Sequence, residues 1–294
     1  MRKKVVSAML CMAMAATMLA GCGGNAGTAS AGTDSSKKTA GGKEEVVIWD
    51  YFETDAQKNM MQDIIDGFNE SQEEYEASHV YVPFADYEKQ LTLGMASGEL
   101  PDLVILDGCS MASFIQMDLF GDVSDADIKW DEYLEGPMES TMADGKHYGI
   151  PFATNCTALF YNKDIFDAAG MEYPNENTTW EDFHEMAKAL TKDGVVGFGN
   201  AATGTDEGTF QCLQWLYTAG GDYQNVKGGT DAYNLMQEMV ADGSWSKDCV
   251  NWTQSDVNNN FVAGNLAMQQ NGPWQIPGIT KDAPDRESRR TLLI

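Results

Sequence analysis

Aromatic rings and carboxylates recur where the apolar runs of this sequence give out. Asp50-Tyr51-Phe52 follows Val46-Val47-Ile48, and Asp107-Gly108 follows Leu103-Val104-Ile105-Leu106. Asp206 and Glu207 follow the polar stretch Asn200-Ala-Ala-Thr-Gly204, and Trp274 stands just beyond Leu266-Ala-Met-Gln269. An aromatic face packs against the apolar C–H face of a sugar ring, and an ionised carboxylate accepts strong hydrogen bonds from hydroxyls. Tyr51, Phe52, Asp107, Asp206, Glu207 and Trp274 are therefore candidate contacts for a neutral polyol. Each also has a plainer reading. Asp107 suits a helix cap or turn, Trp274 suits a core, and the others suit solvated loops.

Other chemistries find less support. His79, His147 and His184 are isolated, with no H-E-x-x-H spacing and no neighbouring cysteine ligand, so neither a metal site nor a cofactor is expected. No nucleophile motif appears. A glycosidase needs only two carboxylates, which the sequence supplies in number but does not pair, so a secreted carbohydrate-active hydrolase stays open as an alternative. The formal net charge of -26 argues against nucleic acid, which requires a basic face. Of six cysteines, Cys11 and Cys22 lie at the amino terminus. Cys109, Cys156, Cys212 and Cys249 show no C-x-x-C spacing and read as buried or half-buried thiols, a Cys109–Cys156 disulfide being the other option.

The elements that must position these groups follow from periodicity. Glu45 to Tyr51 reads as a strand. Thr54 and Gln57 form a capping-box pattern before a helix whose apolar face is Met60, Met61, Ile64, Ile65 and Phe68. Val80-Tyr81-Val82 is a second strand. A helix through Leu91, Leu93 and Met95 stops at Ser97-Gly98, and Leu100 to Asp107 gives a turn and a third buried strand. This alternation predicts a mostly parallel sheet, in which ligands bind beyond the carboxyl ends of the strands. Asp144-Gly145 marks a turn, Pro151 holds the chain extended, and Ala158 to Tyr161 makes a strand followed by a helix ending at Gly170. Ile150 to Asn155 is thus a crossing between two lobes. Helices follow after Thr179 (capped reciprocally by Asp182, with Trp180 in the apolar stripe), over Phe210 to Ala219, through Tyr233, Met236 and Val240, and over Asp256 to Val262. Strands are expected at Val195 to Gly199 and Leu266 to Gln269, and a last helix from Asn271-Gly272-Pro273-Trp274.

The amino terminus is different in kind. Arg2, Lys3 and Lys4 precede an apolar run from Val5 to Leu19, shorter than the ~20 residues of a membrane span, so residues 1–21 read as a secretory signal. Leu19-Ala20-Gly21-Cys22 is similar to a bacterial lipobox, which implies lipidation of Cys22. Residues 22–42 are rich in Gly, Ala, Ser and Thr and are expected to be a flexible tether with a reach of roughly 25 Å.

Five motifs resemble, in order and spacing, the bacterial extracellular solute-binding proteins that feed sugar ABC importers. They are Ser97-Gly-x-x-Pro101-Asp102; Gly145-x-x-Tyr-Gly-Ile-Pro151 with Leu159-Phe-Tyr-Asn-Lys-Asp164; Thr179-Trp-Glu-Asp-Phe183; the Trp215 to Asp222 segment with its Gly-Gly; and Phe261-x-x-Gly-x-x-Ala-Met-x-x-Asn-Gly-Pro-Trp274. The resemblance covers Glu45 to about Asp285. It implies an α/β, two-lobed periplasmic-binding-protein-like fold (type II), each lobe a mostly parallel sheet flanked by helices, with a cleft between lobes. Lobe 1 would span residues 43–152 and lobe 2 residues 153–285.

The resemblance further implies a non-enzymatic, monomeric substrate-binding lipoprotein. It would capture a mono- or oligosaccharide by hinge closure and deliver it to a membrane permease, anchored by lipid to the outer face of the cytoplasmic membrane. It adds Asn155 as a ligand contact and places Trp274 in the cleft. Peptide, polyamine or iron remain alternative solutes. Arg286 to Ile294 departs from the family trend. Arg286, Arg289 and Arg290 are the only arginines after Arg2, and residues 286–294 read as the tail of a truncated or frame-shifted product.

Overall fold

The computed structural model describes residues 38, 39, 41–282 and 289–292, the last four and residue 282 through their backbone. The signal segment, Cys22, most of the tether and most of the tail lie outside the described residues. Where the tether expectation overlaps them, the chain already turns: Gly42 N–H donates to Thr39 O at 2.9 Å, and Lys38 bridges Glu44.

The Val46–Ile48 run forms the centre of the first sheet. In chain order the elements are β1 (Glu44–Asp50), α1 (Asp55–Ser71), β2 (Tyr75–Tyr81), α2 (Phe84–Ser97), β3 (Leu103–Val104) and α3 (Gly108–Gln116). The strand order is β2-β1-β3, all parallel, as the alternation requires. Thr54 caps α1 in a complete capping box with Gln57. One face of the sheet buries Met61, Ile65 and Ala77, and the other buries Tyr87, Leu91 and Phe114. Two expectations change here. Only Met61 and Ile65 of the α1 stripe are buried, while Met60, Ile64 and Phe68 are 40%, 44% and 41% exposed, because one sheet face covers one narrow stripe of a helix. The third strand shrinks to two residues: Pro101 has no amide hydrogen, and the Asp102 carboxylate itself accepts from Val47 N–H at 2.8 Å.

Between the sheets lie a short helix α4 (Glu135–Glu139) and the hairpin β4 (Met142–Ala143) and β5 (Lys146–His147). Asp144 and Gly145 both take positive φ, 50° and 76°, the backbone that a tight two-residue hairpin turn requires. The crossing that follows has no regular structure until β6 (Ala158–Asn162).

β6 is buried along its whole length and leads into α5 (Lys163–Ala169), capped by Asn162 and stopped by Gly170 at φ 63°. Then come α6 (Trp180–Leu190), β7 (Val196–Gly199), α7 (Asp206–Thr218), α8 (Thr230–Asp242), α9 (Gln254–Ala263), β8 (Leu266–Asn271), α10 (Ile276–Asp282) and β9 (Arg289–Leu292). The strand order is β7-β8-β6-β9. This sheet is mixed rather than mostly parallel: β7 and β8 are parallel, but β6 runs against both β8 and β9, because the crossing brings the chain in from the opposite end. The stretch Arg289–Leu292, which sequence trend set apart, pairs with β6 and forms an edge strand of this sheet. Core clusters are segregated among the described residues: those of the first sheet draw on positions up to 120, and those of the second on positions from 158 onward. Cys109, Cys156, Cys212 and Cys249 are all free thiols, so the Cys109–Cys156 pairing is not made; both of those thiols are exposed, against the buried or half-buried expectation, while Cys249 is buried and Cys212 half-buried.

Candidate functional site

The carboxyl end of β1 delivers three residues with three different fates. Asp50 is fully buried; its carboxylate accepts from His79 Nδ1–H at 2.6 Å and from Phe52 N–H at 3.0 Å. It holds the strand end in shape and does not face a cavity. Asp50→Ala is expected to cost about 2 kcal/mol, because Phe52 N–H loses a charged acceptor in a buried place; urea unfolding with an unchanged m-value is the check. Tyr51 packs edge-on against Tyr87 at 5.3 Å and donates its hydroxyl to Asp107. Burial, and secondarily Asp107, pushes the Tyr51 hydroxyl far above its ordinary range, so it stays a donor. Phe52 is almost wholly buried in the first core, and its ring lies 6.1 Å from that of Phe152 on the crossing.

Asp107 occupies the N-cap position of α3, yet its side chain makes no cap bond. The carboxylate points instead to Tyr51. Burial raises its pKa, the Tyr51 bond opposes this, and Asp206 adds to the rise.

Tyr51, Phe52, Asp107, Asn155, Glu207 and Trp274 together line one cavity of about 140 Å³. Three come from the first sheet, one from the crossing and two from the second sheet. Asp206 does not line it. It lies in the first turn of α7, which begins four residues before the expected start at Phe210, and its charge acts on Asp107 and on Glu88 of α2. Glu88 was not singled out from sequence, because on a helix with one buried stripe a lone carboxylate carries no signal of its own.

Glu207 is only 4% exposed, and its Oε1 accepts from Gln254 N–H at 2.5 Å. Burial pushes its pKa up to about 7, with the Gln254 bond opposing. Its place is set by Gly208, where a Cβ would come within 2.0 Å of Thr203 O; only glycine lets the helix start so close to the preceding loop. Trp274, half-buried, sits in the turn Pro273–Gln275 at the end of β8. Its indole lies on the Gly272 backbone so closely that a Cβ there would be 2.0 Å from the ring.

A second cavity, of about 400 Å³, opens within the second sheet's half of the molecule. Trp180, Phe183, Phe198, Phe210 and Trp215 form its walls, and Asn155 and Phe210 line both cavities. Trp180 is half-buried with its ring 5.9 Å from Trp215, so it is a cavity wall rather than a core residue alone. A chain of buried amides ties the cavities to β8. Trp215 Nε1–H donates to Gln270 Oε1 at 2.7 Å, Gln270 Nε2–H donates to Gln211 O at 3.1 Å, and Asn271 Nδ2–H donates to Gln254 O at 3.0 Å. Among the described residues no group of three or more His, Cys, Asp or Glu is arranged to hold a metal ion, and no helix is long and apolar enough to cross a membrane.

Two sheets flanked by helices, joined by an extended crossing with residues from both sides around one cavity, define a two-lobed binding protein of the periplasmic type. The family model for bacterial extracellular solute-binding proteins matches residues 63–288, and the chain belongs to that family. It is 24% identical over 295 residues to the galactooligosaccharide-binding protein of Bacillus subtilis (strain 168), covering 95% of this chain and 65% of that protein. It is 26% identical over 250 residues to the lactose-binding protein of Rhizobium radiobacter, covering 76% and 56%. The fold matches that of the ABC transporter solute-binding protein from Thermotoga lettingae TMO bound with α-D-tagatose, with TM-score 0.74 and 21% identity over 84% of this chain and 67% of the other. It matches the GacH receptor of Streptomyces glaucescens GLA.O with TM-score 0.72 and 23% identity over 85% and 66%. The chain spans between about half and two thirds of the length of the curated relatives it matches.

Proposed function

We propose that this chain is the substrate-binding component of an ABC importer and captures a mono- or oligosaccharide between two lobes, residues 43–152 and 153–285. The observation that carries the reading is the smaller cavity. Aromatic rings (Tyr51, Phe52, Trp274) and hydroxyl-binding groups (Asp107, Asn155, Glu207) from both sides of the crossing line one space. That is the chemistry a neutral polyol needs. Ligand would favour the closed arrangement of the lobes by its differential affinity for it, and a membrane permease would read that form. In this reading the protein is exported, monomeric, held at the outer face of the cytoplasmic membrane through lipid on Cys22, and performs no catalysis.

One observation favours a second reading. Glu207, protonated near neutral pH beside other carboxylates, has the property of a glycosidase general acid. Thermal unfolding of residues 43–294 against a panel of mono- and oligosaccharides, peptides and polyamines, with hydrolysis followed in the same samples, separates the two. A sugar at about 100 times its Kd raises stability by roughly 2.7 kcal/mol without turnover if the chain is a binding protein. Hydrolysis of the stabilising sugar would make it an enzyme, and stabilisation by peptides or polyamines alone would replace the carbohydrate.

A further inference from the structure

The carboxylates of the smaller cavity have no cation to answer them within the protein. Glu207 is 4% exposed, Asp107 is half-buried, and Glu53 stands at the same wall. None of the three forms an ion pair among the described residues, and no lysine, arginine or histidine lines the cavity. Lys58, whose Nζ lies 4.6 Å from the centre of the Tyr81 ring, pairs with none of them. The surroundings are themselves acidic. Glu53 and Asp256 act on Glu207, and Asp206 and Glu88 on Asp107; the Tyr51 and Tyr81 hydroxyls and the Cys109 thiol are the other titratable groups beside them. A buried charge is ordinarily paired, because its loss of water has to be offset. The acceptors are also only half used. The Tyr51 hydroxyl donates to Asp107 Oδ1 and Gln254 N–H to Glu207 Oε1, while Asp107 Oδ2 and Glu207 Oε2 make no hydrogen bond among the described residues. Gln254 and Gln275 line the same cavity and are 9% and 5% exposed, yet their carboxamides make no hydrogen bond among the described residues either. The rings of Tyr51, Phe84, Phe152 and Trp274 complete the wall. Carboxylate and carboxamide oxygens beside aromatic rings are surroundings that favour an ammonium group. A phosphate or carboxylate would instead meet three carboxylates and no cation.

We propose that this cavity seats an ammonium group between Asp107 on the first sheet's side and Glu207 on the second, with the Gln254 and Gln275 carboxamides accepting from it, and that the captured carbohydrate is a cationic amino sugar. The sugar rests on the carbohydrate reading; the ammonium seat does not. The larger cavity is lined by no carboxylate, so a second ammonium reaching into it finds no counter-charge, which favours one charged sugar unit over a polyamine. The seat also couples binding to a proton. Burial holds the Glu207 pKa at about 7, and an adjoining cation favours the ionised form, so a proton leaves as the ammonium enters.

The test is isothermal titration of the full-length chain, purified in detergent, near pH 6.5, where these amines carry their charge. Glucosamine and galactosamine are compared with glucose, galactose and the N-acetyl forms, and the β-1,4-linked glucosamine disaccharide with cellobiose. An amino sugar should bind roughly tenfold or more tightly than its neutral and N-acetyl counterparts, and that ratio should fall to about threefold or less in Asp107→Asn and in Glu207→Gln. Titration of the wild type in buffers of different ionisation enthalpy needs no variant, and it should show up to about one proton more released with the amino sugar than with the neutral one. Neutral sugars that bind as tightly as their amino forms overturn the ammonium seat and leave the carbohydrate reading in place. An unchanged ratio in both variants overturns its placement at Asp107 and Glu207. Binding of spermidine or putrescine, with no sugar bound, overturns the carbohydrate reading and keeps the seat. Binding of none of these ligands overturns the seat.

Discussion

Trp274→Ala is expected to weaken sugar binding by about 2–4 kcal/mol, roughly 30- to 700-fold, while leaving the fold intact. The indole is half-buried, stands at the end of β8, and offers the broadest aromatic face of the cavity shared by the two sheets. Its position depends on Gly272, whose φ of -108° any residue could adopt. The requirement there is space: a methyl group at 2.0 Å from the ring must displace it. Gly272→Ala should therefore lose most of the same affinity although every ring and carboxylate of the site is still present. Isothermal titration of both variants is the measurement. A Kd within twofold of wild type for Trp274→Ala would place the ring outside the ligand's path, and full affinity in Gly272→Ala would show that the indole has other productive positions.

Glu207 is expected to make stability fall as pH rises through the neutral range. Its pKa moves from the ordinary 4.5 to about 7 in the folded chain because burial disfavours the charged form. Between those values the native state holds a proton that the unfolded state has released. Stability is thus fullest below pH 4.5 and is lost as pH approaches 7, by roughly 3 kcal/mol for this one group. Other carboxylates titrate over the same window, so the informative quantity is the difference between wild type and Glu207→Gln in urea unfolding at pH 5 and pH 8. The wild type should lose about 2.5 kcal/mol more than the variant across that interval, and parallel losses would show that Glu207 ionises freely. The same titration bears on function. Sugar hydroxyls bind an ionised acceptor more strongly, so affinity should rise between pH 6 and pH 8 and the rise should vanish in Glu207→Gln.

Much of the fold is legible in the residues because its signals are local. The Thr54 and Thr179 caps, the Asp144-Gly145 turn, and the stops at Gly98 and Gly170 each depend on a few adjacent residues and appear where expected. Six of the seven ligand-contact candidates line one cavity; all but Asn155, which the family resemblance supplied, follow strand ends, which converge in such sheets and can be recognised from an apolar run that gives way to polar residues.

Local signals thus set the succession of helices and strands, the crossing, the family motifs and the residues at the strand ends. Tertiary structure alone decided where those residues turn. Asp50 goes inward to His79 and Phe52 N–H while Asp107 turns to the Tyr51 hydroxyl at the cavity wall, although both close apolar runs, because each carboxylate follows the donor that the folded chain sets beside it. Asp206 and Glu207 are neighbours, yet helical geometry sends one toward Glu88 and the other under Gln254. Trp180 and Trp215 lie 35 positions apart and read as ordinary apolar stripes; their shared cavity exists only once α6 and α7 pack on the second sheet. Caps and turns depend on bonds between near neighbours, which composition and spacing reveal. Side-chain direction, burial and the sense of β6 depend on contacts between distant segments, which come into being only when the chain is folded.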